Sequence, residues 1–272
     1  MSTRSVLDVP YRTIDGTDLC LDIHRPAGGR EVPCVAYFHG GGWARGSRQD
    51  RAEERLLALA AHGVAVASVS YRLIDTATHP AQLEDGRAAL GWLRTHGVEH
   101  GLATDRIGAW GASAGGWIAL MLALSDQGDG TGLAKRPDAV CAWFAPTDLT
   151  TVRSERDGAA LALPEFIQGR AIPDMEAGLL GLSNIGDDPM LARAASPVTH
   201  AQHARTPVLL IHGDRDGLIS CAQSRALHGA LTRAGGDSQL LLLAGANHED
   251  EAFHKPAVLA ATAGFFSAAL SG

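Results

Sequence analysis

The chain has 272 residues, 46% of them apolar and 19% charged, enough for a core that needs neither disulfides nor a structural metal. Its 23 basic and 30 acidic residues leave a net charge of −7 with no Lys/Arg run, which argues against a nucleic-acid partner. The least charged stretch, Ala257 to Leu270, falls short of the ~18 apolar residues of a membrane-spanning helix, so no membrane partner is expected.

In chain order, Tyr11 to Arg25 reads as an antiparallel hairpin turning at Asp15-Gly16. Pro33 to Phe38 is a buried strand that runs into a glycine loop. The next helix offers Asp50 and Glu53 for a reciprocal cap and Gly63 for its C-terminal end. Val64 to Tyr71 is a second strand. A helix opened by Pro80 at its first position stops at Gly97. Ile107 to Trp110 is a strand leading straight into a helix from Ala114 to about Leu124. Ala139 to Phe144, Val208 to His212 and Leu240 to Leu243 complete the strands, and helices from Ser220 to Ala234 and Lys255 to Ala269 follow the last two. Strands alternating with helices of this length predict parallel crossovers and a three-layer α/β sheet, organised as one domain over residues 1–272. Residues 149–204 break the rhythm, with weak periodicity and several Gly and Pro. They read as a short lid or excursion, or as a chain of short surface helices.

Gly111-Ala112-Ser113-Ala114-Gly115 fits G-x-S-x-G and sits at a predicted strand–helix junction. A sharp turn there would raise the serine above the sheet edge, and the flanking glycines let the backbone crowd the turn. His39-Gly40-Gly41-Gly42-Trp43 directly follows the strand ending at Phe38, and its successive N–H groups can converge on an oxyanion. A phosphate cradle is disfavoured, because neither a Walker nor a dinucleotide glycine pattern is present. Among the 12 histidines, His248 stands out by lying between the last strand and the last helix, with His254 in reserve. His212, at a strand end, better suits a structural role. Three aspartates follow strands between serine and base: Asp148, Asp214 and Asp216. No metal is expected, since neither His248-Glu249-Asp250 nor the Asp126–Asp129 turn has metal-ligand spacing.

These stretches, together with Ser70-Tyr71-Arg72-Leu73, Asp105-Arg106-Ile107, Ser196-Pro197-Val198-Thr199 and the His212 to Asp216 loop, resemble the α/β-hydrolase superfamily from about Val9 to Phe266. Closer still, they are similar to the feruloyl- and acetyl-esterase-like enzymes related to the hormone-sensitive-lipase group. The resemblance implies an eight-stranded, mostly parallel sheet with helices on both faces, a Ser–Asp–His triad and no cofactor. One departure from many lipase-like relatives is the lack of a large N-terminal cap. In such enzymes the second aspartate of the H-G-x-x-D stretch serves as the acid. Reach favours the same choice, because Asp216 lies further into its loop than Asp214 and is followed by Gly217.

The expected site is therefore Ser113, Asp216 and His248, with Gly41, Gly42 and Ala114 forming the oxyanion hole and Trp43 and Leu218 beside the substrate. The expected activity is a serine carboxylesterase acting on small short-acyl or aryl esters, without interfacial activation. An arylformamidase-type amidase is the alternative, and a non-catalytic binding module on the same fold is disfavoured because every element of the constellation is present. Oligomeric state is not legible. Cys20, Cys34, Cys141 and Cys221 are widely separated and show no C-x-x-C spacing, and Met1 to Asp8 lacks a secretory apolar region, so the expected location is cytoplasmic.

Overall fold

The computed structural model describes residues 2–28, 31–125, 136–159, 161–169 and 172–271. Its centre is one eight-stranded sheet in the order β1-β2-β4-β3-β5-β6-β7-β8. The strands are β1 (Thr3–Ile14), β2 (Thr17–Pro26), β3 (Val32–Phe38), β4 (Ala65–Val69), β5 (Leu102–Ala112), β6 (Ala139–Trp143), β7 (Val208–Gly213) and β8 (Ser238–Leu243). The β1–β2 and β2–β4 pairings are antiparallel; all those from β4 to β8 are parallel. Ile14 pairs with Thr17, so Asp15 and Gly16 alone make the hairpin turn. Both have positive φ, 50° and 77°, as a tight turn matched to strand twist demands.

Period-two alternation divides the strands between two cores. On β3, Cys34, Ala36 and Phe38 face one layer, while Val35 and Tyr37 face the other. The first layer is covered by α2 (Ala81–His96), α3 (Ala114–Leu124) and α7 (Ala222–Arg233). The second is covered by α1 (Ala58–Ala60), which continues a π-helical turn Ala52–Leu57, and by α8 (Pro256–Leu270). Helix α3 is buried along its whole length, which explains its continuous apolar run and lack of a polar face.

Four sequence expectations need correction. Asp50 does not share a reciprocal cap with Glu53; it accepts hydrogen bonds from the Ser47 amide and hydroxyl at 3.1 and 2.9 Å. Arg51 adopts a left-handed φ of 58° between Asp50 and the first helical residue, so Asp50 is out of capping position. Strand β1 begins at Thr3 instead of Tyr11, and β5 begins at Leu102 instead of Ile107. In β1 the apolar residues Val6 and Leu7 are adjacent and exposed, and in β5 buried Leu102 is followed by half-buried Ala103 and Thr104 and exposed Asp105 and Arg106, so neither extension shows an apolar alternation to read. Pro80 immediately precedes α2 and is not its first residue.

Residues 149–204 form short helices among the described residues: α4 (Val152–Ala159), α5 (Met175–Leu180) and α6 (Pro189–Ala194), with 3₁₀ turns between and after them. No helix among the described residues is long and apolar enough to cross a membrane. The Asp126–Asp129 turn lies outside the described residues.

Candidate active site

Ser113 occupies the one-residue corner between β5 and α3, with φ 53° and ψ −120°. A non-glycine residue is held there only because its neighbours leave room. A Cβ on Gly111 would lie 2.2 Å from the Gly115 carbonyl carbon, and one on Gly115 would lie 1.9 Å from the Phe38 oxygen. Both glycines are thus required by close backbone approach. The Ser113 amide donates to the Trp143 carbonyl at 2.9 Å, anchoring the corner to the end of β6.

The loops after β7 and β8 bring two further groups to this corner. Ser113 Oγ lies 3.0 Å from His248 Nε2, and His248 Nδ1 lies 2.7 Å from Asp216 Oδ2. A carboxylate oxygen only accepts, so Nδ1 carries the proton and Nε2 is free to accept from the serine hydroxyl. Asp216 is 1% exposed, and its Oδ1 accepts the amides of Leu218 and Ile219 at 2.9 and 2.8 Å. Burial opposes its charge, but His248 and the hydrogen bonds from His212 and His248 outweigh that and hold the carboxyl well below the usual carboxylate range. Asp214, by contrast, is exposed and accepts the Gly245 amide at 2.7 Å. Asp148 accepts from the Thr150 amide and hydroxyl at 3.0 and 2.5 Å. Of the three aspartates, only Asp216 meets the imidazole.

His212 is fully buried behind that acid. Its Nε2 donates to the Ile219 carbonyl at 2.9 Å and lies 3.2 Å from Asp216 Oδ2, while Nδ1 accepts from Ser224 Oγ at 2.7 Å. The structural reading of His212 is the one the contacts favour. His254, the reserve base, lies on the far side of Arg55 and accepts from it.

The glycine loop after β3 faces the serine. Gly41 has φ 114°, and a Cβ there would stand 2.1 Å from the Arg45 carbonyl oxygen. Gly42 has φ 63° and touches Met175 of α5, whose Cγ would lie 3.0 Å from an added Cβ. Gly41, Gly42 and Ala114 line one cavity of about 760 Å³ with Ser113 and His248. Trp43 and Leu218 line it too. Trp43 is nearly buried and sets its ring edge-on to Trp117 at 5.4 Å.

Sequence reasoning missed several wall residues. Phe166, Ile167, Ile172, Pro173 and Met175 of the excursion contribute apolar lining, and Arg45, Asp50, Arg51, Arg55, Arg156, Glu176 and Glu249 contribute charged lining. For the residues of the excursion the sequence signal was only a segment without strand periodicity, while Arg45 and Glu249 carried only their nearness in sequence to the glycine loop and to His248. Glu176 is 8% exposed, and burial pushes its carboxyl up from the ordinary value, with Asp174 adding repulsion. Asn247 was also unassigned, yet it joins the two loops. Its Oδ1 accepts the Gly217 amide at 3.0 Å and the His248 amide at 2.7 Å, and its Nδ2 donates to the Ala162 carbonyl at 2.8 Å.

The BD-FAE family model matches residues 21–231, which takes in the glycine loop, the serine corner and the Asp216 loop. The chain belongs to the BD-FAE family. Esterase LipQ of Mycobacterium tuberculosis is 29% identical over 236 residues, 84% of this chain but 53% of LipQ. Carboxylesterase NlhH of the same species is 31% identical over 252 residues, 89% of this chain and 72% of NlhH. The BD-FAE chain thus spans only about half the length of LipQ. Among solved structures, a truncated carbohydrate esterase from gut microbiota superimposes with a TM-score of 0.81 at 22% identity, covering 97% of this chain and 95% of that one. Esterase 2 of Thermogutta terrifontis gives 0.69 at 23% identity, covering 93% and 86%. These likenesses establish the α/β-hydrolase fold for this BD-FAE member, and no large cap precedes its sheet among the described residues.

Proposed function

We propose that this chain is a serine carboxylesterase that hydrolyses small, short-acyl esters through an acyl-enzyme. The observation that carries the reading is the continuous Ser113–His248–Asp216 hydrogen-bond chain, 3.0 and 2.7 Å long at its two links, opening onto the glycine-loop cavity. The relatives' names as esterases and carboxylesterases support the same class.

In this mechanism Ser113 Oγ attacks the ester carbonyl carbon as its proton moves to His248 Nε2. Asp216 keeps the imidazole in the acceptor tautomer and balances the imidazolium. The Ala114 amide, at the N-terminus of α3, and the Gly41 or Gly42 amide hold the carbonyl oxygen as it becomes an oxyanion. His248 then returns its proton to the departing alkoxide, which leaves as the alcohol. Water, deprotonated by His248, attacks the acyl-serine, and the collapse of that second tetrahedral adduct releases the acid and restores Ser113.

Short acyl groups are proposed because Met175 packs close against Gly42 and, with Trp43 and Phe166, lines the cavity beside Ser113. The residues of the excursion that line the cavity are a wall of this hydrolase unit in our reading. A cytoplasmic location is proposed from the four free cysteines. The test is a panel of soluble esters from acetyl to decanoyl, with an N-formyl aryl amide and emulsified triglyceride alongside. Highest kcat/KM for acetyl to butyryl esters is expected. Faster turnover of the amide or of the emulsion would overturn it.

A further inference from the structure

The most heavily partnered charge near the cavity is one that the mechanism above leaves idle. Arg55 lies on the π-helical turn Ala52–Leu57, with its side chain 2% exposed. Isolated burial of a guanidinium is strongly unfavourable, so its partners identify what it holds. Nη1 donates to Tyr37 Oη at 2.9 Å, and Nη2 donates to Glu249 Oε1 and Oε2 at 3.0 and 3.1 Å. Nε and Nη2 lie 3.2 and 2.9 Å from His254 Nε2, and the guanidinium carbon sits 5.3 Å above the Trp143 ring. One side chain therefore ties β3, β6, the loop after β8 and the turn before α8 together.

Glu249 is the residue directly after His248, and its φ is 57°. A glutamate in that conformation is strained, and it persists only where its surroundings over-determine it. Arg55 supplies that constraint through both carboxylate oxygens. On the other side of His248, Asn247 grips the His248 amide at 2.7 Å. The imidazole is thus aimed from both flanks, while Phe144 packs against its face edge-on at 4.7 Å.

We propose that Arg55 is a positioning residue for His248, acting through Glu249. The inference rests on the reading of His248 as the general base. The pair also sets the charge around that base. The ionisable groups about the imidazole are Asp216, with His212 behind it, from the loop after β7; Glu249 on its own loop; Arg51 and Arg55 from the turn before α1; His254 from the turn before α8; and Ser113 at Nε2. Arg45, Asp50, Arg156 and Glu176 are further charged residues that line the same cavity among the described residues. Glu249 and Arg55 offset one another, so removing either alone unbalances the site in opposite directions.

The experiment compares Glu249→Gln, Arg55→Met and the double variant with the parent on one short soluble ester, reading kcat, KM and the acid limb of kcat/KM. Each single variant is expected to lose at least about tenfold in kcat with KM within about twofold, because the base is misaimed and binding groups are untouched. Glu249→Gln removes an anion and leaves Arg55 unbalanced, so the imidazolium is disfavoured and the limb moves to lower pH, by about half a unit. Arg55→Met leaves Glu249 unbalanced and moves the limb to higher pH by a similar amount. The double variant is expected to lose far less than the product of the single losses, with its limb near that of the parent. Should Arg55→Met fail to fold, Glu249→Gln and the double variant decide alone. Folded variants with unchanged kcat and limb would overturn the proposal, as would a rise in KM at constant kcat, which would mark Arg55 as a substrate-binding group. Phosphonate labelling of the parent at Ser113, run alongside, separates the two claims. An unlabelled Ser113 contradicts the esterase reading, and a labelled one with unchanged variants contradicts only this inference.

Discussion

Asparagine at position 216 would keep the shape of the side chain and lose only charge and one acceptor. Asp216 Oδ1 now accepts two amides, at 2.9 and 2.8 Å, and Oδ2 accepts His248 Nδ1–H at 2.7 Å with His212 Nε2 at 3.2 Å. Neither amide orientation of asparagine reproduces this. With its NH₂ toward the histidines, it opposes the His248 Nδ1–H; with its NH₂ toward the loop, it opposes the Leu218 and Ile219 amides. The first arrangement is relieved if His248 shifts its proton to Nε2, which then can no longer accept from Ser113. Loss of the productive tautomer costs up to ~10⁴ in kcat, or about 5 kcal/mol of transition-state stabilisation. The second arrangement leaves buried donors unpaired, at about 1–3 kcal/mol of stability. Asp214→Asn, at an exposed site, retains an oxygen for the Gly245 amide and should hold kcat within about twofold. Steady-state kinetics on a short ester, with thermal unfolding as the control for folding, compares the two. Comparable activity of the two folded variants, or the greater loss in Asp214→Asn, would refute the reasoning.

Further outcomes are expected. Gly41→Ala places a Cβ 2.1 Å from the Arg45 oxygen at φ 114°, so the loop must shift. Its kcat should fall about a hundredfold with KM little changed. Glu176 has its carboxyl raised by burial, so the folded state keeps that proton to higher pH than the unfolded chain does. Its contribution to stability therefore falls as pH rises from about 4.3 through the folded value, and Glu176→Gln should raise Tm at pH 7 but not at pH ~4. Burial pushes the Cys34 thiol up to about 12 and the Cys141 thiol up as well. A thiol-specific disulfide reagent at pH 8 should therefore label only the half-buried Cys20 and Cys221 of the native protein, and mass spectrometry checks which sites react.

What could be read from the chain alone follows from where each constraint is local. The serine corner was legible because Gly111 and Gly115 stand within two residues of Ser113 and both are needed for the same tight approach. His248 stood out by its position after the last strand, since a parallel sheet delivers such loops to one edge, whereas position left Asp214 and Asp216 together and only reach and the family resemblance separated them. The first half of β1 was not, because an exposed edge strand carries no apolar alternation. The Arg55 cluster was invisible for another reason: its bonds to Glu249 and His254 span 194 and 199 positions, and nothing near Arg55 in sequence demands its burial. The cavity wall lay equally beyond reach. Met175 meets Gly42 only through tertiary packing of a short helix that periodicity does not single out.

The measurement that bears most directly on the assignment is active-site labelling. The parent, Ser113→Ala and His248→Ala are each treated with a soluble organophosphonate, and the modified peptide is located by mass spectrometry. Stoichiometric modification of Ser113 alone in the parent is expected, with loss of ester hydrolysis in step with labelling. The Ser113→Ala protein should be unlabelled and inactive, and the His248→Ala protein should react at a small fraction of the parent rate. Labelling at another residue with activity lost, or a folded Ser113→Ala protein that still hydrolyses short esters, would contradict the assignment of Ser113 as the nucleophile.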